Sequence, residues 1–181
     1  MVYKLYFGID NGVSGSLGVL GFVNGEKRME DFTSLPIFSD LSYTKKRRNI
    51  TRIHVPVLRR YFKTKVQYLL LPESPKTTKC DIVALIERPM VNPGRFMATL
   101  SAIRALEAVL ISLPKDTTIK YCDSKEWQKK LLPEGSSGPQ LKHDSLSVGC
   151  RLFPVFKDKI VKHKDADGML IAEYLRREQR G

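Results

Sequence analysis

With 181 residues, 42% of them hydrophobic, the chain is long enough to bury a real core, so residues 1–181 are expected to form a single domain that needs no disulfide or metal staple. The three cysteines, Cys80, Cys122 and Cys150, are odd in number and lack CxxC spacing, which argues against a disulfide framework or a structural zinc site. No run approaches the roughly 18 apolar residues of a membrane span and no signal-peptide pattern is present, so a soluble intracellular protein is expected, while the net charge of +12 predicts attraction to polyanions, nucleic acid foremost.

The first element is an apolar run, Tyr3 to Val23, with one carboxylate set in it. Tyr3, Leu5, Phe7 and Ile9 alternate as in a half-buried strand, and Leu17, Val19 and Leu20 begin a second strand after a Gly-rich turn. Asp10 therefore stands at a strand's carboxyl end, where burial without a cation or solvent costs several kcal/mol. An Asp before Asn11-Gly12 can also simply start a turn. Asn24-Gly25 favours a tight type I′ hairpin, so a third strand around Lys27 to Phe32 folds back antiparallel.

From Leu41 to Pro72 no acidic residue occurs, yet Lys45, Lys46, Arg47, Arg48, Arg59 and Arg60 fall there among other bases, with Tyr43, Tyr61 and Phe62 interleaved. This is a candidate polyanion stripe whose aromatics suit sugar or base contacts; the alternative is a solvated helix face over buried aromatics. Val55, Leu58 and Phe62 have helical spacing, which puts part of it on a helix. Glu73 to Lys79 reads as a loop.

Ile82 to Ile86 are five uninterrupted apolar residues, the mark of a strand buried on both faces, and the run ends on Glu87. Phe96, Leu100, Ile103, Ala105, Leu106, Val109 and Leu110 give a broad apolar helical face. Thr117 to Tyr121 is a short strand, and Asp123-Ser124 with Glu126 looks like a capped start for the helix carrying Trp127. After the connection Pro133 to Pro139, Gln140 to Phe153 is a helix exposing Lys142. In the last segment, Leu170, Ile171 and Tyr174 lie at i+3, i+4 and i+7 from Asp167, so this acid shares the buried helical face. Asp165 is about 200° away on a continuous helix and joins Asp167 only if the helix begins after it. His163, at i−4, is co-facial with Asp167.

Three carboxylates, on the first strand, a later strand and the last helix, suit phosphodiester hydrolysis. That reaction needs charge neutralised on the attacking and leaving oxygens, which a pair of Mg²⁺ ions held by carboxylates does, and oxygen ligands select such a hard cation or Mn²⁺ in its place. FGIDNGVSGSLGVL, VALIERP, CDSKEWQKKLLP and KHKDADGMLIAEYLRR, in this order over nearly the whole chain, resemble the RuvC-like Holliday junction resolvases of the ribonuclease H-like superfamily, especially viral, phage and organellar relatives.

The resemblance implies an α/β fold with a five-stranded mixed sheet, order 3-2-1-4-5, flanked by helices. It further implies a metal-dependent endonuclease acting as a homodimer on four-way DNA junctions, with two symmetric cuts. Asp10, Glu87 and Asp167 then hold metal. The family's fourth ligand matches no residue here unambiguously: Asp165 has the preferred oxygen chemistry, and His163 is an alternative ligand or proton shuttle. Lys129, Lys130 and Lys142 join the stripe as candidate DNA contacts. Two other classes share part of this pattern. An actin-like ATPase or sugar kinase shares the Asp-x-Gly turn but needs about twice the 100–200 residues of one domain, and a non-catalytic branched-nucleic-acid-binding module would share the fold but not need the acids.

Overall fold

Alternation builds the centre of the molecule. In the computed structural model, which describes residues 1–42, 49–70, 80–89, 91 and 93–179, β1 (Tyr3–Ile9) pairs antiparallel with β2 (Ser16–Val23), and β2 with β3 (Glu26–Ser34). The β2–β3 turn is made as its dipeptide predicts, with φ of 50° at Asn24 and 85° at Gly25. β6 (Cys80–Glu87) adds parallel to β1 on its other side, and β7 (Thr117–Cys122) parallel to β6. The sheet order is β3-β2-β1-β6-β7, the expected 3-2-1-4-5 once two intervening strands are set aside.

Those two strands, β4 (Ile37–Leu41) and β5 (Asn49–Ile53), form a separate antiparallel hairpin. Its apolar residues are largely exposed: Ile37, Phe38 and Leu41 all face solvent. Only Ile53, at the end of β5, reaches the core, so the strand pair carries little periodic signal in the sequence. Residues 43–48, which carry Lys45, Lys46, Arg47 and Arg48, and the loop expected at 73–79 lie outside the described residues.

Helices cover both faces. On one side α1 (Val55–Leu70) and α2 (Phe96–Ser112) bury Leu58, Phe62, Ala105 and Val109 against Leu5, Phe7, Ile9, Leu17 and Val19. The other side holds α3 (Ser124–Leu131), α4 (Gln140–Leu152), α5 (Lys157–His163) and α6 (Asp167–Glu178), which gather Trp127, Val148, Ile160, Leu170 and Ile171 over Tyr6, Leu20, Val83 and Leu85. α3 starts in the predicted capping box, Asp123 with Glu126. Among the described residues no helix is long and apolar enough to cross a membrane.

Candidate metal centre

Strand parity sends the acids to one side of the sheet. On β1, Leu5, Phe7 and Ile9 face α1 and α2 while Tyr6 faces α6, so Asp10, in step with Tyr6 and Gly8, emerges on the α6 side. On β6, Ile82, Ala84 and Ile86 face α1 and α2, Val83 and Leu85 face α6, and Glu87 follows the latter pair. Ile9 is opposite Ile86 in the parallel ladder, so the two carboxylates leave neighbouring strand ends.

The last helix reaches them because glycine lets backbone meet backbone. A Cβ on Gly8 would run into the Ala172 nitrogen and the Gly168 carbonyl, and one on Gly168 would sit 2.5 Å from the Ser16 carbonyl oxygen and 2.8 Å from the Leu17 nitrogen. The Gly168 N–H donates to Ser16 Oγ at 3.0 Å. α6 thus lies directly on β1 and β2, with Asp167 as its first residue beside Asp10.

Asp165 arrives by a break in the chain's helical course. α5 ends at His163, Lys164 takes a left-handed conformation (φ 81°), and α6 begins at Asp167. The helix therefore begins after Asp165, the condition under which this acid can join Asp167. Ligand oxygens of Asp10, Asp165 and Asp167 all lie within 4.8 Å of one another. The same break corrects the placement of His163, which is not one helical turn below Asp167. Its Nδ1 is 2.8 Å from Ser34 Oγ and its Nε2 3.3 Å from Asp165 Oδ1, so it stands behind Asp165 rather than among the three acids.

Glu87 is outside the tight group. Trp127 Nε1 donates to its Oε2 at 2.8 Å, and Arg88 pairs with Asp123 at 3.0 Å instead of with Glu87. Three residues that carried no sequence signal complete the surroundings: Ser145 on α4 donates to Asp167 Oδ1 and accepts the Ala166 N–H, Ser16 receives Gly168, and Ser34 meets His163. A serine on an amphipathic helix reads as ordinary polar surface, yet Ser145 is buried.

Burial and mutual repulsion disfavour the ionised acids. Asp10 is held well above the usual carboxylate range, by burial first and then by Asp167, Glu87 and Asp165, with Lys142 opposing. Asp167 is pushed up to about 7 by burial and Asp165, against the hydrogen bond from Ser145. Glu87 is raised by burial, and the Trp127 bond works against that. Asp165 is buried, and its Oδ1 has no hydrogen-bond partner among the described residues; Nε2 of His163 is near but out of alignment and likewise unsatisfied there. Buried, clustered carboxylates are compensated by protonation or by a cation, and the all-oxygen donor set here fits a hard divalent ion.

The other candidates divide. Lys142 is exposed on α4 and near enough to oppose the upward shifts of Asp10 and Asp167. Lys129 is exposed, whereas Lys130 pairs with Glu178 at 2.6 Å and lies over the Tyr174 ring. Arg59 and Arg60 are exposed on α1, across the sheet from the acids, and Arg59 donates to the Ile111 carbonyl at 3.0 Å.

A mixed five-stranded sheet in this order, helices on both faces, and acids at the ends of β1 and β6 and the start of the last helix define a ribonuclease H-like fold. Within that class the fold is RuvC-like. The chain is similar to T. thermophilus RuvC in complex with Holliday junction substrate, at 13% identity over 98% of this chain and 95% of that one, with a TM-score of 0.51. It is also similar to a Thermus thermophilus RuvC structure, at 13% identity over 97% and 96%, with a TM-score of 0.48. No family model and no curated protein matches the sequence.

Proposed function

We propose that the chain is a divalent-metal-dependent endonuclease that resolves four-way DNA junctions by paired, symmetric phosphodiester hydrolysis. The observation that carries this reading is the convergence of Asp10, Asp165 and Asp167 within 4.8 Å on a RuvC-like fold. The similar RuvC chain, which was seen with a Holliday junction substrate, supports branched DNA as the partner, as does the net charge of +12.

In this reading Asp10, Asp165 and Asp167, with Glu87 beside them, hold one or two Mg²⁺ ions, for which Mn²⁺ substitutes. The metal supplies charge neutralisation on the phosphodiester and activation of the attacking water. Asp167 and Asp10 must lose protons to bind it, so metal binding is coupled to pH. Ser145 orients Asp167, Trp127 orients Glu87, and the exposed Lys142 presents an ammonium to the incoming phosphate. His163 stands behind Asp165 as its support rather than as a ligand.

Two symmetric cuts require two centres, and α2 offers a surface for pairing. Phe96, Met97, Ile103 and Ile111 are exposed on it, at 69%, 66%, 38% and 59%, and such a face on a highly charged chain calls for a cover. Homodimerisation through α2 is therefore part of the proposal. The decisive experiment incubates the purified protein with a synthetic four-way junction, with Mg²⁺, with Mn²⁺ and without metal. Metal-dependent paired nicks are expected; tight junction binding without cleavage in either metal would overturn the enzyme in favour of a binding module.

A further inference from the structure

Beside the acids lies a groove of about 640 Å³ that the reading above leaves unused. One wall is the loop that follows Asp10, through Ser14 and Gly15, and the end of β3, through Thr33 and Ser34; the other is α5 and its end, through Lys159, Lys162 and Lys164. Three lysines and a histidine line it, and among the described residues no carboxylate does. Asp31, the acid that Lys159 reaches, is already engaged: Lys65 at 2.5 Å, Tyr61 Oη at 3.1 Å and Lys159 at 3.4 Å all meet it. Lys162 and Lys164 are exposed and form no ion pair among the described residues.

Two features tie this groove to the acids. His163, between the two free lysines, turns inward to Asp165, so groove and acid cluster share a wall. Lys164 also occupies a helix C-terminal position with φ 81°, where glycine is the usual residue because a Cβ is disfavoured there. A lysine kept at such a position is a backbone outlier of the kind that accompanies a binding function.

We infer that the groove seats the sugar-phosphate backbone of the DNA strand flanking the cleaved phosphate, with Lys162 and Lys164 as its phosphate contacts. The inference rests on the nuclease reading and deepens it. Ammonium and hydroxyl groups without an exposed aromatic platform suit phosphate rather than base recognition, since of the two rings in the lining Phe32 is buried and His163 is turned inward to Asp165. The contact is independent of base sequence. The hairpin of β4 and β5 borders the groove at Ile37, and the chain's most basic run, 45–48, lies between those strands in sequence.

The test is the salt dependence of four-way junction binding by the full chain in EDTA, comparing wild type with Lys162→Gln/Lys164→Gly. Glycine at 164 removes the charge while relieving the left-handed backbone, so folding is retained. Two lost phosphate contacts lower the slope of log affinity against log salt by about 1.8 for duplex, or about 1.4 for single strands, and Lys162→Gln alone lowers it by half that. Mn²⁺ affinity measured by calorimetry stays at the wild-type value, and the melting temperature does not fall. A control pair on the far edge of the sheet, Lys115→Gln/Lys120→Gln, leaves the slope unchanged. An unchanged slope in the groove variant, or an equal loss in the control, overturns the groove while leaving a cleaving wild type as a nuclease. A wild type that binds no junction overturns the nuclease reading itself, and the groove with it.

Discussion

Trp127→Phe isolates one hydrogen bond at the centre. Trp127 is fully buried, and its indole N–H donates to Glu87 Oε2 at 2.8 Å. Phenylalanine keeps an aromatic ring between α3 and α6 but removes the donor. A hydrogen bond to a charged group contributes about 1.5–3 kcal/mol, and this one works against the upward push of burial on Glu87. Its loss leaves Oε2 without its indole donor and the carboxylate free to rotate. At about 1.4 kcal/mol per decade, the same interaction corresponds to roughly 10–100-fold in metal affinity, the range usual for groups that orient a ligand. The assay is Mn²⁺ titration by calorimetry, with single-turnover junction cleavage at saturating metal beside it and thermal melting to follow the smaller core ring. Because the chain has one tryptophan, quenching or enhancement of its emission on metal addition gives an independent readout in the wild type. A double-mutant cycle completes the test: in a Glu87→Gln background the Trp127→Phe change costs little further metal affinity. A Trp127→Phe protein that is folded and binds Mn²⁺ within twofold of wild type would refute the positioning argument.

Asp10→Asn, Asp165→Asn and Asp167→Asn are each expected to reduce cleavage by about a hundred- to a thousandfold, on the scale of lost electrostatic stabilisation, while junction binding in EDTA stays within a few-fold; near-normal cleavage by any one removes that acid from the centre. Raised acids bind more protons folded than unfolded, so the metal-free protein loses stability as pH rises from about 4 to about 7, by at most about 4 kcal/mol through Asp167 at about 1.4 kcal/mol per pH unit, and Mg²⁺ restores most at the upper end; melting scans in EDTA that show stability rising over this interval would contradict the sign. Gly168→Ala places a Cβ against the Ser16 carbonyl, and the forced separation of α6 from β2 is expected to lower stability by about 1–3 kcal/mol, as overpacking does, and to weaken Mn²⁺ binding in the protein that still folds. Ile103→Asp, on the exposed side of α2, is expected to yield a folded monomer by light scattering that nicks without pairing its cuts, whereas a monomeric wild type making paired cuts would refute the interface. Val109 is unsuitable for that test because it is completely buried.

Sequence alone carried the sheet far. Period-two patterning in Tyr3–Ile9 and the unbroken Ile82–Ile86 run determine that Asp10 and Glu87 end strands, and Asn24-Gly25 determines the hairpin, because each is a local preference of a few residues. The face of Asp167 was legible for the same reason. Tertiary structure decided the membership of the centre. Asp165 joins and His163 stands behind it because Lys164 breaks the helix, a backbone event that no side-chain periodicity announces. Glu87 is drawn to Trp127 across 40 residues of sequence, and Ser145 to Asp167 across 22, contacts that exist only once α3 and α4 have packed on α6. The β4–β5 hairpin is not legible in the sequence because, with Ile53 alone buried, its strands carry almost no hydrophobic rhythm.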